Sequence, residues 1–88
     1  MMNRKQIERG LNDIAVKLKL RNAKIQVEKP GKWVHITIAT PDFQGKSASE
    51  RENIIWRELE RQFDDETILS ITQCYLMTPK ESAVAMPK

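Results

Sequence analysis

Val34-His35-Ile36-Thr37-Ile38-Ala39-Thr40-Pro41-Asp42-Phe43-Gln44-Gly45-Lys46-Ser47-Ala48-Ser49-Glu50-Arg51 is the stretch whose reading decides the fold. Val34, Ile36 and Ile38 alternate with His35 and Thr37, the period of a strand with one buried face. Pro41 ends that strand, because proline has no N–H to give to a ladder. After the Pro-Asp turn and the Phe43-x-Gly45 step, Ser47-x-x-Glu50 and Ser49-x-x-Glu52 both have capping-box spacing. A helix therefore begins here, with its first residue open between the two. Ile55, Leu59 and Phe63 fall on its inner face, with Glu52 and Trp56 beside them.

Upstream, Ala23, Ile25 and Val27 alternate with Lys24, Gln26 and Glu28, and Pro30-Gly31 joins this run to the strand after it as a hairpin. Before the hairpin, Ile7, Leu11, Ile14, Ala15 and Leu18 have helical spacing across Asn3 to Leu20, with Asn22 as terminator. Gly10 lies inside that helix, where it should cost roughly 1 kcal/mol against alanine. Downstream, Asp64-Asp65-Glu66 is expected to close the second helix, although carboxylates at a helix C-terminus oppose its dipole. Thr67 to Met77 is β-branched and apolar, with an alternation that drifts between Ile71 and Leu76, and reads as a strand carrying a bulge. The expected elements are helices over 4–20 and 48–63 and strands over 23–29, 33–39 and 68–77, within one domain of residues 1–79. Residues 80–88 read as a short helix or a frayed tail.

This order predicts an α+β fold, α-β-β-α-β with a further short helix, around a three-stranded mixed sheet. The hairpin strands are antiparallel, and the right-handed crossover rule makes the third strand parallel to the second. Helices then cover one face. Short polar side chains with Trp33, His35 and Tyr75 are left for the other.

Eighty-eight residues suffice for one modest core. No apolar run approaches the ~20 residues of a membrane span, and the start shows no signal-peptide core. Cys74 is the sole cysteine, so an internal disulfide and a thiolate cluster for zinc are both excluded, and a reducing, cytoplasmic setting is expected. No paired carboxylates flanking a cleft and no Ser-His-Asp or Cys-His arrangement can be read around the one histidine, His35, so enzymatic activity is not expected. The net charge of +3 is unevenly spread: residues 1–46 carry ten basic and four acidic side chains, residues 47–88 five and eight. A basic N-terminal half can attract phosphate backbones.

Phe43-x-Gly45, Arg51, Leu59 and Thr78-Pro79-x-Glu81, at these spacings, resemble the BolA family of small class-II-KH-like proteins across residues 34 to 81. The resemblance implies a non-enzymatic protein. Some members bind monothiol glutaredoxins and share an iron–sulfur cluster, and others are described as DNA-binding regulators. The shared cluster uses a histidine early in the last strand and a Cys or His in the hairpin loop. Alignment back from Thr78-Pro79 puts Ser70 at the first of these places, and the turn Lys29-Pro30-Gly31-Lys32 has no thiol or imidazole. Trp33 stands where the family has a histidine at the start of the second strand, and the basic Arg-His-Arg of the helix start reads Arg51-Glu52-Asn53. Serine and lysine are poor replacements for the imidazole or thiolate ligands of such a cluster, so neither a metal nor a cofactor is expected.

Two other motifs fail on inspection. Gly45-Lys46-Ser47 lacks the glycine that a phosphate-binding loop needs five residues earlier, where Thr40 stands. Gly45-Lys46-Ser47-Ala48 lacks the second glycine of a KH clamp. The expected function is a non-catalytic binding module. Its nucleic-acid contacts (DNA or RNA) would be Lys24, Lys29, Lys32, Trp33, Lys46 and Arg51. The alternative is an adaptor for a glutaredoxin-type protein through Ser70, Cys74, Thr78 and Pro79.

Overall fold

A computed structural model describes residues 2–85; the last three positions of the expected tail lie outside the described residues. The elements are α1 (Arg4–Lys17), β1 (Lys24–Glu28), β2 (Val34–Ala39), a 3₁₀ turn (Pro41–Phe43), α2 (Ala48–Gln62), α3 (Asp65–Ser70), β3 (Ile71–Met77) and α4 (Pro79–Ala85). The sheet order is β1-β2-β3, with β1 antiparallel and β3 parallel to β2, as the crossover rule requires.

Asn3 opens α1 with a reciprocal capping box to Gln6. The helix ends at Lys17, short of the expected Leu20. Lys19 adopts φ +56°, its N–H donates to the Val16 carbonyl and that of Leu20 to Ala15. This is a Schellman closure with lysine in the left-handed position that glycine usually takes. The two candidate starts of α2 resolve in favour of Ser47: its hydroxyl accepts from the Glu50 N–H and the Glu50 carboxylate accepts from the Ser47 N–H.

The expected strand over 68–77 is corrected at its start. Asp64-Asp65-Glu66 does not close α2; Phe63 caps it, and Asp64 is the N-cap of a separate helix, accepting from the Thr67 N–H at 2.8 Å. The carboxylates thus sit at the positive end of α3, which removes the dipole conflict. The strand begins only at Ile71. Its drifting alternation is a register shift: Val34 pairs Ile71 but His35 pairs Gln73, leaving Thr72 as the extra residue.

This register assigns the faces. Val27, Ile36 and Cys74 form one inward row and Ile25, Ile38 and Leu76 the next. They pack with Ile7, Leu11 and Ile14 of α1, Ile55 and Leu59 of α2, and Phe43 and Phe63, with Trp56 against the same core. The outward rows are Glu28–His35–Gln73, Gln26–Thr37–Tyr75 and Lys24–Ala39–Met77. Ser82 of α4 lies with Lys24, Gln26, Thr37 and Ala39, so α4 crosses one end of the outward face. Among the described residues no helix is long and apolar enough to cross a membrane.

Candidate nucleic-acid interface

Most of the residues that carry the sequence resemblance come together in a clasp, while Leu59 packs in the core. Gly45 takes φ +80°, left-handed backbone that allows the chain to turn from the 3₁₀ segment into α2. Phe43, just before it, is buried beneath the guanidinium of Arg51, 5.7 Å from ring centroid to Cζ. Arg51 Nε donates to the Lys46 carbonyl (3.0 Å), and Nη1 donates to the Leu76 carbonyl (3.0 Å) and Glu81 Oε1 (2.7 Å). Nη2 completes the fork to Glu81 Oε2 at 3.2 Å. Glu81 Oε1 also accepts from the Thr78 N–H, and the Thr78 hydroxyl accepts from the Glu81 N–H, a capping box at the start of α4. One arginine therefore joins the start of α2, the end of β3 and α4. Its side chain is 11% exposed and four of its five N–H donors are engaged within the protein, so this expected phosphate contact sits in a structural position that leaves little of the guanidinium for a phosphate.

The clasp has an acid dependence. The Arg51 fork, followed by the Thr78 N–H, holds the Glu81 carboxyl down at about 2, from an ordinary value of 4.5. A carboxylate whose pKa is depressed on folding contributes stability that is present above the unfolded value and lost as pH falls toward the folded one. The thermal midpoint is therefore expected to fall between about pH 5 and pH 2. Asp42, Glu50, Glu58 and Asp64, all shifted downward by hydrogen-bond partners, add to that fall. In Glu81→Gln the midpoint should start lower at neutral pH and decline less steeply in acid. Circular dichroism melts across this range decide it, and parallel curves for the two proteins would contradict the assignment.

The remaining nucleic-acid candidates occupy three places. Lys29, Lys32 and Trp33 lie on the hairpin. There Gly31, at φ +63°, makes the turn, and the Trp33 N–H closes it on the Pro30 carbonyl. The Lys32 ammonium stands 4.9 Å over the Trp33 ring and Lys29 Nζ donates to the Gly31 carbonyl at 3.2 Å, so neither lysine is neutralised by a carboxylate in these contacts. Lys24 lies at the far end of β1 on the outward face. Lys46 is separate from all of these, beside α2, with Nζ donating to the Asp42 carbonyl at 3.3 Å. Lys46 and Lys19 both line a groove beside Phe43, and Arg21 pairs with Asp42. Sequence reasoning singled out neither Lys19 nor Arg21.

The four adaptor residues lie on three elements: the end of α3, β3, and the start of α4. Ser70 ends α3, its hydroxyl donating to the Glu66 carbonyl, and is not in the last strand. Cys74 turns inward against the core, where burial pushes its thiol up to about 11. Such a thiol is a poor nucleophile and a poor metal ligand. Thr78 is a buried cap, and Pro79 opens α4. Among the described residues no group of three or more His, Cys, Asp or Glu side chains could hold a metal ion.

Tyr75, expected as a shield for the outer face, lies on that face with its ring well exposed. It pairs with Thr37 and is 49% exposed, close to the 45% of Trp33. The bulge at Thr72 fixes which side of the sheet Tyr75 occupies, and only a drift in the apolar pattern hinted at that bulge.

No family model matches the sequence, and no curated protein does. Solved structures do match. BolA1 from Arabidopsis thaliana is 15% identical with a TM-score of 0.62, over 92% of this chain and 98% of that one. A Bol-like protein from Babesia bovis is 17% identical with a TM-score of 0.56, over 97% and 94%. These likenesses run nearly end to end at low identity, with the same mixed sheet and helices, and what they establish is that the chain has the BolA-like fold.

Proposed function

We propose that this domain is a non-catalytic module that binds nucleic acid weakly, mainly through charge, with its hairpin and the outward face of its sheet. The supporting observation is the hairpin itself: Lys29 and Lys32 flank an exposed Trp33, and their contacts are with the Gly31 carbonyl and the Trp33 ring rather than with a carboxylate. Lys24 extends this charge along β1, and Lys46 supplies a second contact near α2. The structure adds a reason for weakness, because Arg51 is withdrawn into the clasp. The first turn of α2 presents Glu50 in its capping box rather than a row of cations, which suits a phosphate backbone poorly. An adaptor role draws little support from a hydrogen-bonded Ser70 and an inward Cys74.

With about four phosphates neutralised, affinity for duplex DNA should fall with a log–log salt slope of about −3 to −4. The double substitution Lys29→Ala, Lys32→Ala should flatten the slope by about one unit for each contact removed. Anisotropy titrations at several salt concentrations measure both quantities. No binding to either duplex or single strand at low salt would sink the reading.

A further inference from the structure

The outward sheet face combines exposed rings, amide and hydroxyl groups and flanking lysines in one continuous surface. By the strand pleat His35 and Thr37 fall on the same side, Trp33 stands one residue before β2 in the same alternation with its ring exposed, and register places Tyr75 beside Thr37. From Trp33 to Tyr75 this row runs about 14 Å, using about 3.3 Å per residue along the strand and about 4.8 Å across to the next. Half-buried His35 lies between two well-exposed rings. Gln26 and Gln73 flank the row, and Tyr75 Oη donates to Gln73 Oε1 at 3.1 Å. Lys24, Lys29 and Lys32 border it, against one outward carboxylate among the described strand residues, Glu28. Beyond Thr37 the surface enters a groove of about 270 Å³ between α4 and the sheet, lined by Lys24, Gln26, Thr37, Ala39 and Ser82 among others.

We propose that this face seats single-stranded nucleic acid, with bases stacked on Trp33 and Tyr75 and phosphates met by the bordering lysines. The inference rests on the reading of the hairpin as a nucleic-acid contact and narrows it to one form of partner. Exposed rings on a sheet can be used only by bases whose faces are free. A duplex hides those faces within its own stack, whereas an unpaired strand can splay them onto aromatic side chains. The row spans two or three bases, and the groove by α4 leads a strand onward past groups able to hydrogen-bond base edges. A duplex, about 20 Å across, would meet only the hairpin lysines, since α4 bars it from the far end of the face.

The test uses the whole protein at low salt with two fluorescein-labelled probes: a thymidine oligonucleotide of about 12 nucleotides, within the range such surfaces cover, and the corresponding dA·dT duplex. Trp33→Ala and Tyr75→Ala should each weaken single-strand binding about tenfold, the size of one lost base stack, and weaken duplex binding far less. Trp33→Phe and Tyr75→Phe keep a ring and should retain most of the affinity. The oligonucleotide should also quench tryptophan emission in the native protein, and the quench should vanish in Trp33→Phe because Trp56 packs against the core. Both substituted positions are exposed, and unchanged far-ultraviolet dichroism confirms the fold of each variant. Lysine-dependent binding with equal affinity for both probes and no effect of removing either ring would overturn the stacking face while leaving the hairpin reading intact. Absence of binding to both probes would overturn both.

Discussion

Phe43→Ala is expected to lower the free energy of unfolding by about 3 to 5 kcal/mol. Phe43 is 1% exposed, the largest of the fully buried side chains, and sits where the 3₁₀ turn, α2 and the end of α1 meet. Removing the ring leaves a void that the rigid turn Pro41–Phe43 is poorly placed to fill, since Thr40 caps that turn and also donates to the Arg21 carbonyl at 2.7 Å. It also takes away the surface under the Arg51 guanidinium. A groove lined by Leu18, Leu20 and Ile54 beside the ring lets water reach part of the void, which favours the lower half of the range. A domain of 88 residues has roughly 5 to 13 kcal/mol in total, so the variant should be marginal at room temperature. Phe43→Leu should lose much less. Denaturant titrations decide it, and a loss below about 1 kcal/mol for the alanine variant would show that the ring is not the keystone described.

Gly10 yields the second large effect, and with a sign opposite to what helix propensity suggests. Propensity alone would have Gly10→Ala stabilise α1 by roughly 1 kcal/mol. In the structure a Cβ at this position would collide with Cε1 of Phe63 and come within 2.9 Å of its Cζ. The Phe63 ring is buried and stiff, and it belongs to the cap of α2, so it cannot swing away as a lysine tip would. Overpacking of this kind costs about 1 to 3 kcal/mol, which outweighs the propensity gain. The expected net losses are about 1 kcal/mol for Gly10→Ala and about 3 kcal/mol for Gly10→Val, whose branch adds bulk and brings little helix preference. A thermal midpoint that rises in Gly10→Ala would show that the two helices have room to part.

The legibility of the sequence follows from where each signal is stored. Hairpin, strand order and the two long helices come from local periodicity and caps, and these the chain displays openly: Ser47 with Glu50, Pro30-Gly31, and the alternation of Val34, Ile36 and Ile38. Asp64-Asp65-Glu66 misled because charge runs mark both ends of helices, and only the side chain of Asp64 reaching Thr67 says which end this is. Lys19 misled because left-handed closure is usually signalled by glycine. For the site, Lys29, Lys32 and Trp33 were legible as a cluster since five consecutive residues hold them together. Arg51 was not, since its partner Glu81 lies thirty residues away. The outward position of Tyr75 depended on a bulge whose register is set by pairing with β2 rather than by β3 itself.

The order β1-β2-β3 has a further consequence for how copies of the molecule treat one another. Among the described residues both outer strands have one side without a neighbouring strand, and such borders are templates on which identical chains can stack into aggregates. β1 is only five residues long and presents Lys24, Gln26 and Glu28 outward, so an approaching copy would have to desolvate charges at both ends of a short ladder. β3 is longer, seven residues, but the extra Thr72 near its start breaks the even run of hydrogen-bonding groups that a second strand would need. The irregularity that obscured the reading of β3 thus spoils it as a growth point for fibrils, and the polar hairpin strand guards the opposite border by charge.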